Sequence, residues 1–213
     1  KPAYKKLNQA KHRMPNTTRL RHSIFVTCVR GVKPNMKNLL LSLSLLVSQF
    51  ALGEGMDELI QKLENKQIEE WAFNYEFYEK IHGKVNPDVW PNYSSLNIAE
   101  RYVALILDLE GQVNNGGFDQ YYFNSYGDNA AEAVMALRAI GANSVAKMLV
   151  ESFSVFPNSK PSPDRWVRQA QLEKIGESGN EKLSKLDDQF YEYPDNINAL
   201  LSAYIISNRA QFE

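Results

Sequence analysis

From Asp57 to the C-terminus, apolar residues recur at spacings of three and four, and no stretch sustains an alternation of period two. That pattern admits helices with one buried face and argues against a sheet. Residues 57–82 carry Ile60, Leu63, Ile68, Trp71, Tyr75, Tyr78 and Ile81 on such a stripe, which predicts one amphipathic helix closed by Gly83 as its C-terminal cap. Asn86-Pro87 and Trp90-Pro91-Asn92 read as a loop. Asn97-Ile98-Ala99-Glu100 has the spacing of a capping box, and the helix behind it presents Tyr102, Val103, Ile106, Leu109 and Val113 on one face. Asn114-Asn115-Gly116-Gly117 must stop that helix, because successive glycines forfeit backbone entropy and admit left-handed conformations. Residues 118–126 then form a short aromatic segment of a turn or two, ended by Gly127.

Further along, Asp128 is placed to cap a helix that runs to Ile140 and ends at Gly141. Asn143 is placed to cap the next, with Val145, Met148, Leu149, Phe153 and Phe156 as its buried stripe and Pro157 as its end. Asp164 caps a helix through Ile175, and residues 181–190 and 197–209 supply the last two, the first of them after a break at 176–179. The expectation is an all-α fold: a single compact domain of about seven or eight helices over residues 56–213, behind a non-domain N-terminal extension, residues 1–55. A hydrophobic content of 44% is enough to build its core.

Charge divides the chain at the same place. Residues 1–53 hold ten Lys or Arg and no Asp or Glu, which leaves 14 basic against 25 acidic residues beyond them, a net of −11 that the overall −1 conceals. Three readings fit the basic leader. Translation could start at Met56, with Gly53-Glu54-Gly55 encoded by purine-rich sequence of the kind found at a bacterial ribosome-binding site. Met36-Lys37-Asn38 and the apolar residues 39–47 resemble a short signal peptide, too short to span a membrane, which takes about 20 apolar residues. The third reading is a basic arm for nucleic acid or lipid. The chain begins at Lys1 rather than Met, which reads as a fragment or a conceptual translation.

The residue inventory excludes most catalytic designs. The single cysteine, Cys28, lies in the leader, as do His12 and His22, so the domain has only His82. Cys–His chemistry, a disulfide and a Cys/His zinc site are excluded by count, and a Ser–His–Asp triad would rest on His82 alone. Glu79-Lys80-Ile81-His82 has the Glu-x-x-His spacing of di-metal helix bundles, which need the motif twice; a solvated helix end is the better reading. No metal and no cofactor are expected, nor is enzymatic activity.

The residues 109–124 stand apart: three Asn, two Gln, three Gly and four aromatics crowd sixteen positions. Physics alone favours a tight interhelical corner, in which glycines turn the chain, amides satisfy orphaned backbone groups and aromatics fill the core. A small pocket lined by Asn, Gln and Tyr is the alternative. The run Gln112-Val113-Asn114-Asn115-Gly116-Gly117-Phe118-Asp119-Gln120-Tyr121-Tyr122-Phe123-Asn124 resembles the signature of the bacterial DNA-mimic protein nineteen family. Gln112 departs from it mildly, standing where Glu is more usual. The resemblance continues through residues 133–137, 140–142 and 190–193 and into the last helix; it spans about 57–213 and omits 1–55. Asn114, Asn115, Gly116, Gly117, Phe118, Gln120, Tyr121 and Asn124 are the motif residues, as corner or as pocket.

What the resemblance implies is an all-helical, dimeric, cytoplasmic bacterial protein that presents carboxylates in place of DNA phosphates to a DNA-binding protein, for example a helix-turn-helix regulator. Such a protein binds no nucleic acid itself and needs no membrane; export is the alternative if Met36 opens a signal peptide. A dense negative face is the physical requirement, because phosphate charge dominates DNA affinity. The candidates are Asp57, Glu58, Glu64, Glu69, Glu70, Glu76 and Glu79 near the start of the domain and Asp187, Asp188, Glu192 and Asp195 near its end. Acidic solvated helix faces are also ordinary in soluble proteins. Two competing readings are an immunity-like or adaptor protein for another basic partner, and a small-molecule binder at the Asn-Asn-Gly-Gly-Phe segment.

Overall fold

In a computed structural model the described residues are 55–212, apart from Pro87 and Val89, so the readings of the leader lie outside them. They form eight α-helices and four short 3₁₀ turns, with no strand among the described residues. The helices are α1 (Met56–Glu64), α2 (Glu70–Lys84), α3 (Ile98–Phe123), α4 (Ala130–Ile140), α5 (Asn143–Ser152), α6 (Arg165–Leu172), α7 (Gly176–Tyr191) and α8 (Ile197–Ser207). The all-α expectation holds.

The axis of the fold is α3, which packs against α2, α4, α6, α7 and α8. Its sequence explains the position: Ala99, Val103, Ala104, Leu105, Ile106, Leu109 and Val113 are all buried, which is most of the circumference rather than one stripe. The helix starts where the capping box places it. Asn97 Oδ1 accepts the Glu100 N–H at 3.0 Å, and Glu100 Oε2 accepts the Asn97 N–H at 3.1 Å. Around this axis α4 packs on α5 and α8, α2 on α8, and α5 on α7.

Several expected boundaries are corrected. The helix predicted over 57–82 is two, broken at residues 65–69. Lys66 takes a left-handed φ of 56°, and the Gln67 N–H reaches back to the Lys62 carbonyl at 2.8 Å, which closes α1 as a Schellman motif. The break turns α2 relative to the expected stripe: Phe73, Phe77 and Ile81 are buried, whereas Trp71 and Tyr75 are exposed. Gly83 is not a cap; α2 continues through it to Lys84.

Asp128 does not cap α4. It lies in a 3₁₀ turn and pairs with Arg168, and Asn129 precedes the helix without a side-chain cap. Nor does Asn143 cap α5: it is the first helical residue, and the cap comes from across the chain, where Asp195 Oδ2 accepts the Val145 N–H at 2.9 Å. Residues 176–179 belong to α7 rather than to a break before it, α6 ends at Leu172 rather than Ile175, and α8 ends at Ser207. Gly141, with φ of 86°, ends α4 as expected, and Asp164 caps α6 as expected.

Candidate functional site

The Gly-Gly bend sits about three-quarters of the way along α3. Gly116 is extended (φ −169°), but Gly117 has φ 73° and ψ −177°, a conformation that is essentially reserved for glycine. The turn frees the Phe118 N–H from the helix, and Asp187 of α7 takes it up: Oδ1 accepts at 2.7 Å. A Cβ on Gly117 would lie 2.3 Å from Asp187 Oδ2, so the missing side chain is what lets the carboxylate in. Phe118 is buried edge-on against Phe190, one helical turn beyond Asp187. Burial pushes the Asp187 carboxyl up to about 6; the Phe118 N–H pulls against this, and Asp119 and Asp188 add to it.

The amides of the motif turn on one another and on their neighbours. Gln112 Oε1 accepts from Gln120 Nε2 at 3.2 Å and from Asn124 Nδ2 at 2.7 Å. Asn114 Nδ2 donates to Tyr193 Oη at 2.7 Å, and the Tyr191 hydroxyl donates to the Val113 carbonyl at 2.9 Å. Asn115 is exposed, and Tyr121 is fully buried. These contacts fit a corner, in which groups near the kink find partners within the motif and on residues 187–193, while the Tyr121 hydroxyl is buried without a hydrogen-bond partner among the described residues. Residues 94–208, just over half of the chain, match the model of the family described as DMP19-like protein.

The chain belongs to the DMP19-like protein family. No curated protein and no solved structure matches it. The matched span holds the whole bend and its α7 partners, but it begins after α1 and α2. The two groups of candidate acids therefore stand differently: Asp57, Glu58, Glu64, Glu69, Glu70, Glu76 and Glu79 precede the DMP19-like span, and Asp187, Asp188, Glu192 and Asp195 lie within it.

Within the first group, Asp57, Glu58, Glu64, Glu69 and Glu79 are exposed, and Glu70 and Glu76 are partly so. On α1, Arg209 reaches Asp57 at 3.5 Å and Lys62 reaches Glu58 at 3.6 Å, both loose ion pairs. In the second group, Asp188 and Glu192 are exposed, whereas Asp187 and Asp195 face inward and accept the backbone N–H groups of Phe118 and Val145. Those two carboxylates hold the bend and cap α5.

Two buried charged centres escaped the sequence reading. Arg168 of α6 is fully buried, and its guanidinium collects the end of α3. Nε donates to the Tyr122 carbonyl at 2.7 Å, Nη2 to the Asn124 carbonyl at 2.8 Å and to Asp128 Oδ1 at 2.6 Å, and Nη1 to the Ser162 carbonyl at 2.6 Å. A planar fork with fixed donors suits that task, where a lysine would not. The other is Asp108 on α3, whose carboxylate accepts from the Tyr78 hydroxyl and, at 2.6 Å, from the Tyr93 hydroxyl. Burial pushes the Asp108 carboxyl up to about 7 against the pull of those two hydroxyls. Its signal was present in the sequence as a lone acid inside the apolar run 103–109. His82, the domain's single histidine, stacks on Trp90 beside this cluster, with ring centroids 3.5 Å apart.

Proposed function

We propose that this DMP19-like chain is a non-enzymatic protein whose exposed carboxylates occupy the DNA-binding surface of a DNA-binding protein, a helix-turn-helix regulator being the type of partner it suits. The observation that carries the reading is the concentration of charge on α1 and α2. Residues 56–84 hold seven carboxylates, from Asp57 to Glu79, against four lysines, Lys62, Lys66, Lys80 and Lys84, in a domain whose formal charge over residues 54–213 is −11. A surface built to neutralise phosphates meets such a face with the same lysines and arginines it uses for DNA, and the association is steered by charge. Asp188 and Glu192 add two exposed carboxylates at the end of α7, in residues 186–208, which hold no Lys or Arg. The domain itself repels nucleic acid. It acts as a dimer in the cytoplasm on this reading; no helix among the described residues is long and apolar enough to cross a membrane.

Immobilised chain is exposed to lysate of its source organism, and bound protein is eluted with duplex DNA. The expected result is a basic DNA-binding protein that DNA displaces and that a Glu69→Lys/Glu70→Lys/Glu76→Lys variant fails to retain. Retention that neither DNA nor the charge reversal affects would remove those residues and the mimic reading with them.

A further inference from the structure

A cavity of about 470 Å³ opens between the loop that joins α2 to α3 and the turn that precedes α4. That volume is within the range of small-ligand sites. Its walls include Asp88, Trp90 and Tyr93 from the loop, Arg101 from the first turn of α3, and Asp128 and Glu132 from the opposite side. None of these belongs to the acidic stretch of α1 and α2 or to the Gly-Gly bend.

The composition of the wall selects a class of ligand. Two aromatic side chains and three carboxylates line it, with a single cation, Arg101. That cation is paired through one nitrogen, Arg101 Nη1 meeting Glu132 Oε1 at 3.0 Å, while its Nε is buried without a hydrogen-bond partner among the described residues. Asp128 is likewise held by the buried Arg168 at 2.6 Å. Asp88, exposed at the rim, is left as the surplus negative charge. An anion would meet excess carboxylate here, whereas an organic cation finds the partly exposed Trp90 ring and a counter-charge.

The aromatic wall is also held in place. Trp90 is packed face to face on His82 and edge-on to Tyr78 and Tyr93, at centroid distances of 3.5, 6.1 and 5.3 Å. Tyr93 is itself buried and anchored by its hydroxyl to Asp108 at 2.6 Å. Rings fixed by packing and hydrogen bonds lose no rotamer freedom when a ligand arrives. A buried network around Asp108 that has no reacting partner of its own thus acquires a role as the backing of the cavity wall.

We propose that this cavity is a binding site for an organic cation, a guanidinium or alkylammonium group, seated against Trp90 with Asp88 as its counter-charge. The group can come from a diffusible small molecule or from an arginine side chain of another protein, and one titration separates the two. The site does not rest on the mimic reading, since the residues of the two surfaces differ.

The test follows the Trp90 indole N–H in heteronuclear spectra of the full chain during titration with agmatine, N-acetylarginine methylamide and its neutral isostere N-acetylcitrulline methylamide. Both or one of the cations should move the Trp90 resonance saturably while the citrulline compound leaves it in place. Asp88→Asn should weaken the response about tenfold, the loss expected of one charge-assisted hydrogen bond. Asp88 is exposed, so the variant keeps the fold, and its spectrum checks this directly. Binding of agmatine alone assigns the site to a diffusible cation; equal or tighter binding of the capped arginine assigns it to a protein side chain. The Glu69→Lys/Glu70→Lys/Glu76→Lys variant should bind the cation like the parent, so failure of the mimic reading leaves this result standing. A citrulline response equal to the arginine one, no response to either cation, or an unchanged affinity in Asp88→Asn would overturn the proposal.

Discussion

Gly117 and Arg168 carry more of this structure than their size or surroundings in the sequence suggest. At Gly117 an alanine meets two penalties together: a φ of 73° with ψ near 180°, and a Cβ 2.3 Å from Asp187 Oδ2. Gly117→Ala should lower stability by about 2 kcal/mol or more in a denaturant titration. Gly111 provides the contrast, since it lies inside helical α3 with open space where its Cβ would be. Gly111→Ala should raise stability by about 0.5–1 kcal/mol, and a loss there would mean that α3 is not helical at that point. For Arg168, replacement by lysine keeps the charge but cannot reach four acceptors from one plane. Arg168→Lys should cost about 3 kcal/mol, because the Tyr122 and Asn124 carbonyls lose their buried donor and Asp128 its ion pair.

Among the elements, caps show which information is local and which is not. Asn97 with Glu100, Asp164 and Gly141 act on neighbours within five residues, and each was legible as a pattern of type and spacing. The cap of α5 comes instead from Asp195, fifty residues away, so Asn143, the nearest suitable side chain, was an attractive and mistaken choice. Asp195→Ala should lower stability by about 1 kcal/mol and loosen amide protection first at Val145 in hydrogen exchange, whereas Asn143→Ala should change neither. The break between α1 and α2 was illegible for a related reason: it uses the same Schellman geometry as Gly141, but with Lys66 in the left-handed position. A lysine there gives no signal, and the missed break in turn exchanged the buried Phe73 and Phe77 for Trp71 and Tyr75 on the expected face. The Gly-Gly bend was visible because only glycine permits it. Its dependence on Asp187, the Asp108 cluster and the Arg168 fork were not, since each joins residues that meet only after the helices pack.

For the whole molecule, charge bears on stability and, on the proposed function, on recognition. Asp108 and Asp187 have carboxyls raised to about 7 and about 6, above the ordinary value of about 3.9 for an unfolded chain. The folded state therefore binds protons that the unfolded state releases between about pH 4 and 7. Stability should be greatest at the acidic end of that window and fall as pH rises through it. Calorimetry should show a melting temperature that drops from pH 5 to pH 8, less steeply in Asp108→Asn; a rising melting temperature would place both carboxylates in the wrong environment. On the outside of the molecule, the function proposed above has the carboxylates of α1 and α2 stand in for phosphates. Its most direct measurement is the affinity for the DNA-displaceable partner between about 50 and 200 mM salt, for the chain and for Glu69→Lys/Glu70→Lys/Glu76→Lys. Affinity should fall steeply with salt for the chain and with a much shallower slope for the variant. Equal slopes, or an affinity indifferent to salt, would contradict that function.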